Sequence, residues 1–164
     1  MNRLFLKKVC ITTSILLLLA VSFTISSCNQ MSGVSLDDLK VQNLNGDRIT
    51  LASHLGKPVI VNFWETSSAS CIQEFPDFEK IKQHYKDKVV FVMISDEDRV
   101  RIGSFASSRP FTFSYVKSEK ELSEYEIHSR PTTWFIDTEG ALVTKKTGVI
   151  DAEELKVLIE EIKY

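Results

Sequence analysis

Two nearly continuous apolar runs constrain this chain more than any other feature: Val59-Ile60-Val61-Asn62-Phe63-Trp64 and Val89-Val90-Phe91-Val92-Met93-Ile94. Neither alternates apolar with polar residues, so neither strand can turn one face to water. Each needs cover on both faces, as in a parallel sheet flanked by helices. The segment between them predicts such a helix, from about Ser70 to Lys86, with Phe75, Phe78, Ile81 and Tyr85 in one apolar stripe. Pro76 lies inside it and should kink it. Strand, helix and strand together imply a parallel pair with a right-handed crossover.

Thr132-Thr133-Trp134-Phe135-Ile136 is a third strand, and Ala141-Leu142-Val143 follows the Glu139-Gly140 turn closely enough to form a hairpin with it. Asp151 and Glu154 predict a capping box at the start of a last helix lined by Leu155, Leu158, Ile159 and Ile162. Val100 to Ser107 reads as a weaker helix. At the front, Asn45-Gly46 signals a turn, with Ile49-Thr50-Leu51 returning as a short strand. The expectation is an α/β domain with a central mixed sheet flanked by helices and an N-terminal strand or hairpin extension.

The first thirty residues read as an address. Arg3, Lys7 and Lys8 precede an uncharged run from Val9 to Gln30 with an apolar centre, and Ile25-Ser26-Ser27-Cys28 ends it. This is the pattern of a secretory signal peptide, and its end resembles the lipobox of bacterial lipoproteins. Residues 1–27 are expected to be the leader, Cys28 the lipid-bearing residue, 28–34 a tether and 35–164 the domain. An uncleaved anchor is the alternative, because about 20 apolar residues span a bilayer. Both readings put the domain on the exported side of a bacterial membrane, with periplasmic lipid anchoring as the expectation.

The leader holds three basic residues and no acid. Its removal takes the net charge from −2 to −5 over the remaining 137 of 164 residues. That length supports one hydrophobic core, and an acidic domain without a basic patch argues against nucleic acid. Three cysteines, Cys10, Cys28 and Cys71, exclude a disulfide framework and a four-cysteine zinc site. No metal or cofactor is expected.

Three separated motifs carry a resemblance. Gly56-Lys57-Pro58 followed by Val59 to Thr66 resembles the strand entering the active site of thioredoxin-fold proteins. Cys71-Ile72-Gln73-Glu74-Phe75-Pro76 resembles the start of the active-site helix. Arg130-Pro131-Thr132-Thr133-Trp134-Phe135-Ile136-Asp137 resembles the strand that begins with a cis-proline. The match is to the TlpA-like envelope thiol–disulfide oxidoreductases, which are related to the AhpC/TSA group, over about residues 35 to 163.

The departure lies at the chemistry. Where that family has Cys-x-x-Cys, this chain has Ser68-Ala69-Ser70-Cys71, and Ser67 stands where a tryptophan is usual. Disulfide exchange needs a thiolate attacking sulfur, and a serine hydroxyl cannot substitute. Ser68 is otherwise a good helix N-cap, with Ser70 and Gln73 as a competing cap. His54, His84 and His128 form no motif with it. Cys71, at the resolving position, is either a buried, inert thiol on an apolar helix face or a monothiol that forms one mixed disulfide with a partner.

Arg130 either points to solvent or reaches the helix mouth, where a guanidinium could stabilise a thiolate or attract an acidic partner. Asn62 stands where thioredoxins carry a buried acid, and Glu65 and Glu74 read as solvated carboxylates. By resemblance, Thr66, Ser67, Arg130 and Pro131 form a groove for an extended substrate. The expected partner is an envelope protein or peptide, or a thiol-bearing redox protein.

Overall fold

The computed structural model describes residues 34–162. The expected leader with Cys10, the expected lipid-bearing Cys28 and tether residues 28–33 lie outside the described residues.

Seven strands form one mixed sheet: β1 (Val41–Gln42), β2 (Arg48–Ile49), β3 (Val59–Phe63), β4 (Val90–Ser95), β5 (Ser114–Ser118), β6 (Thr132–Ile136) and β7 (Leu142–Thr147). Their spatial order is β2-β1-β5-β4-β3-β6-β7. β3, β4 and β5 run parallel, and β6 runs antiparallel to β3 with Asn62 opposite Thr133. The helices are α1 (Ala69–Tyr85), α2 (Arg99–Ser107) and α3 (Ala152–Glu161).

β3 and β6 are buried along their whole length, as unbroken apolar runs require. Their cover differs between the two faces. Ile60, Trp64, Phe91, Met93, Tyr115 and Phe135 pack with residues of all three helices. Val59, Val61, Phe63, Val92, Ile94 and Trp134 pack under short 3-10 turns that supply Leu36, Leu51 and Leu122. The helical face is dense in aromatics: Phe75 alone meets Trp64, Phe105, Phe111 and Phe113 with ring centroids 5.3–5.9 Å apart.

Several expectations need correction. β5 was not anticipated. It adds a third parallel strand after α2, and the alternation of Phe111, Phe113 and Tyr115 was its sequence signal. Leu51 does not extend β2. It turns into the 3-10 segment Leu51–His54, capped by Thr50, which carries its side chain into the core instead of along an exposed edge. The β1–β2 loop needs glycine at residue 46, where φ is +99°.

α1 is a 17-residue helix with Pro76 inside it, as its apolar stripe implies. At α3 only half of the expected box forms. Asp151 accepts from the Glu153 and Glu154 N–H groups, whereas the Glu154 carboxylate pairs with Lys146.

Candidate functional site

β3 delivers the chain to the mouth of α1. After Phe63, the Trp64 N–H still bonds the Ile94 carbonyl at 3.1 Å, and Glu65 to Ser67 lead to Ser68. Ser68 has extended backbone angles and its Oγ accepts from the Cys71 N–H at 3.3 Å, so it is the N-cap. Ser70 does not cap. Its hydroxyl lies 2.9 Å from that of Ser68. The residue standing in place of the attacking cysteine thus satisfies a helix-end donor.

Cys71 is one turn in and fully buried (0% exposed), among Trp64, Phe75 and their neighbours. Burial pushes its thiol up. Hydrogen bonds with Ser68 and the Glu65 backbone act against that, and the nearby Glu74 and Glu65 charges add to it. Among the described residues it is a free cysteine.

Beneath Cys71 lies a polar layer of Asn62, Thr133 and Glu74, and Glu74 is buried there rather than solvated as expected. Glu74 is 1% exposed. Its Oε1 accepts from Asn62 Nδ2 at 2.7 Å and its Oε2 from the Ile150 N–H at 3.1 Å. Asn62 Nδ2 also donates to Thr133 Oγ1 at 3.0 Å, while Asn62 Oδ1 is buried without a donor. Burial raises the Glu74 carboxyl to about 7, although the Ile150 and Asn62 hydrogen bonds favour its charged form. The spacing was informative: residues 71, 74, 75 and 78 share one helix face. So although Asn62 cannot move a proton, the site retains a buried carboxyl that titrates near neutrality.

Two lips flank the mouth of α1, where the groove is expected. On one, Ser67 is exposed, and Thr66 is held by Glu97, which accepts from the Thr66 N–H at 2.7 Å and hydroxyl at 2.9 Å. Arg101 pairs with Glu97 at 3.1 Å and donates to Thr66 Oγ1 at 2.8 Å. On the other lip, the Arg130–Pro131 peptide is cis and Pro131 is buried.

Arg130 turns toward the helix mouth rather than to solvent, and it meets acids there: it donates to Asp96 Oδ2 at 3.0 Å and reaches Glu65 at 3.9 Å. Asp96 and Glu97 were missed because they act on residues more than thirty positions away. Their signal was three consecutive acids, Asp96-Glu97-Asp98, at the carboxyl end of a buried parallel strand, where the working crevices of α/β sheets lie.

The histidines stand apart. Burial and Lys57 lower the pKa of His54, His84 stacks edge-on against Tyr85 at 5.0 Å, and His128 is exposed. Among the described residues no cluster of three or more His, Cys, Asp or Glu side chains could hold a metal.

Residues 33–145 match the AhpC/TSA family. The thiol-disulfide oxidoreductase ResA of Bacillus subtilis is 29% identical over 161 residues, covering 91% of this chain and 87% of ResA. The thioredoxin-like protein YneN of the same organism is 28% identical over 129 residues, 76% of each chain. The crystal structure of StoA, also from Bacillus subtilis, superposes with a TM-score of 0.60 at 25% identity, over 73% of this chain and 93% of StoA. The cis-proline, the buried cysteine at the resolving position and the helix mouth lie within the matched span. The chain therefore belongs to the AhpC/TSA family, as a thioredoxin-fold relative of the TlpA/ResA-type thiol–disulfide oxidoreductases.

Proposed function

We propose that this protein is a membrane-anchored envelope member of the TlpA/ResA type that binds extended or thiol-containing envelope proteins without conventional dithiol reductase activity. One observation carries the reading: the mouth of α1 presents the capping hydroxyl of Ser68, and the remaining thiol, Cys71, is 0% exposed and shifted toward its protonated form. A thiol pair exchanges disulfides by exposing one sulfur and resolving with the second. Here the exposed position has no sulfur. Export and lipid attachment rest on the leader and the Ile25-Ser26-Ser27-Cys28 box.

Insulin reduction with dithiothreitol as electron donor tests the reading. The wild-type chain is expected to add nothing to the background rate, and Ser68→Cys to raise it well above background by restoring the pair. Turnover by the wild type would overturn the proposal. A chain in which Ser68→Cys stays inactive while remaining folded would instead be a scaffold. A monothiol oxidoreductase working through Cys71 and a partner thiol would give a trappable mixed disulfide at Cys71.

A further inference from the structure

We propose that Glu65 occupies the place of an acidic side chain of the bound partner, and that Arg130 is the residue that selects it. The inference rests on the groove reading above and names the chemistry of its ligand.

Arg130 holds two acids in different ways. Asp96 is a fixed anchor: its Oδ2 lies 3.0 Å from Arg130, its side chain is 15% exposed, and it also accepts from the Leu122 N–H at 3.2 Å. Glu65 is held loosely. It is 38% exposed and stops 3.9 Å from Arg130, beyond hydrogen-bond distance. Among the described residues its carboxylate accepts no hydrogen bond. A guanidinium has five N–H donors in a planar fork. In Arg130 the hydrogen bond to Asp96 engages Nη2, whereas Nη1, the nitrogen on the Glu65 side, makes no hydrogen bond among the described residues. Donor capacity is therefore left over on the side of Glu65.

Glu65 comes from the Ser68 lip and Arg130 from the cis-proline lip, so their contact crosses the groove. A peptide laid between the lips must displace it. The other cations at this edge are committed: Arg101 to Glu97 and Thr66, and Lys117 Nζ to the carbonyl oxygens of Asp96 and Glu97. With Glu65 swung out, Arg101, Arg130 and Lys117 face only Asp96 and Glu97. An aspartate or glutamate on the peptide restores the balance and can approach Arg130 to hydrogen-bond distance. A lysine or arginine in its place would meet the like charge of the guanidinium. The partner that fits is an extended peptide segment with one carboxylate opposite Arg130.

The test uses the full chain in detergent solution and two fluorescein-labelled decapeptides of alternating valine and threonine. One carries a central glutamate and the other glutamine. Fluorescence anisotropy at low salt is expected to show the glutamate peptide binding about three- to tenfold tighter, with the ratio shrinking as salt is added. Arg130→Gln should bring the ratio to one. Glu65→Gln should tighten glutamate-peptide binding by about two- to threefold, because the internal competitor is gone. Since Glu65 is partly exposed, this variant keeps the test decisive even if Arg130→Gln unfolds. Equal binding of the two peptides, or a preference for glutamate unchanged in Arg130→Gln, overturns the inference and leaves the groove standing. Failure of both peptides to bind overturns the groove reading and the inference with it.

Discussion

At the mouth of α1, Asp96 and Glu97 bind both arginines and Thr66, and Ser68 caps the helix. One turn deeper the polar groups are less well matched. Asn62 Oδ1 has no donor, Glu74 holds its proton up to about pH 7, and the Cys71 thiol is pushed up by burial. The contrast separates two kinds of work. At the mouth most hydroxyls and charges pair with one another without sulfur, the exceptions being Arg130 Nε and the loosely held Glu65. The layer beneath keeps a thiol and a proton-active carboxyl in the interior, which costs stability. Under the proposed function position 68 decides the surface chemistry, and the buried layer is built from other residues, Asn62, Cys71, Glu74 and Thr133.

Four measurements break or sharpen this contrast. The largest effect should come from the buried side. Phe75→Ala removes a ring that meets Trp64, Phe105, Phe111 and Phe113, and should cost about 4 kcal/mol, read as a lower urea midpoint. A loss below about 1 kcal/mol would place the structural weight elsewhere.

The second is pH dependence. Burial raises the Glu74 carboxyl to about 7 in the folded chain, against an ordinary value of 4.5. Between those values the unfolded chain has released this proton and the folded chain has not. The contribution of Glu74 to stability therefore falls as pH rises through that window and is level above it, by roughly 3 kcal/mol in total. Subtracting the Glu74→Gln profile from the wild-type profile isolates it, and identical profiles would refute a raised carboxyl.

At the mouth the effects should be smaller. Glu97→Ala leaves the Thr66 N–H without its acceptor and Arg101 without its ion-pair partner, and should cost about 1–2 kcal/mol. It should also speed amide exchange in residues 65–67, and unchanged exchange there would argue that Glu97 does not hold that lip. Ser68→Ala removes one capping hydrogen bond and should cost about 1 kcal/mol. A loss as large as that of Phe75→Ala would erase the distinction between surface and interior.

The sequence displays much of this arrangement, and unevenly. β3, β4, β6 and α1 are legible because unbroken apolar runs and a helical stripe leave few alternatives. Ser68 and Asp151 are legible as caps because capping is local chemistry. β5 is harder to see: its alternation is short and lies between the Ser107-Ser108-Arg109-Pro110 turn signals and a polar stretch. Glu74 misleads because carboxylates are rarely buried, although its place on the apolar face marks it. The Asp96 and Glu97 clamps depend on the parallel strand pairing that brings distant loops together, and no local pattern encodes that.

The central claim, that this fold keeps a sealed thiol beneath a sulfur-free mouth, is tested most directly by the reactivity of Cys71. Iodoacetamide labelling at neutral pH, read by peptide mass mapping before and after unfolding in urea, separates Cys71 from the other cysteines. The account predicts no modification of Cys71 in the native chain and complete modification once unfolded. Rapid labelling of native Cys71 would contradict it and point to an exposed, working thiol.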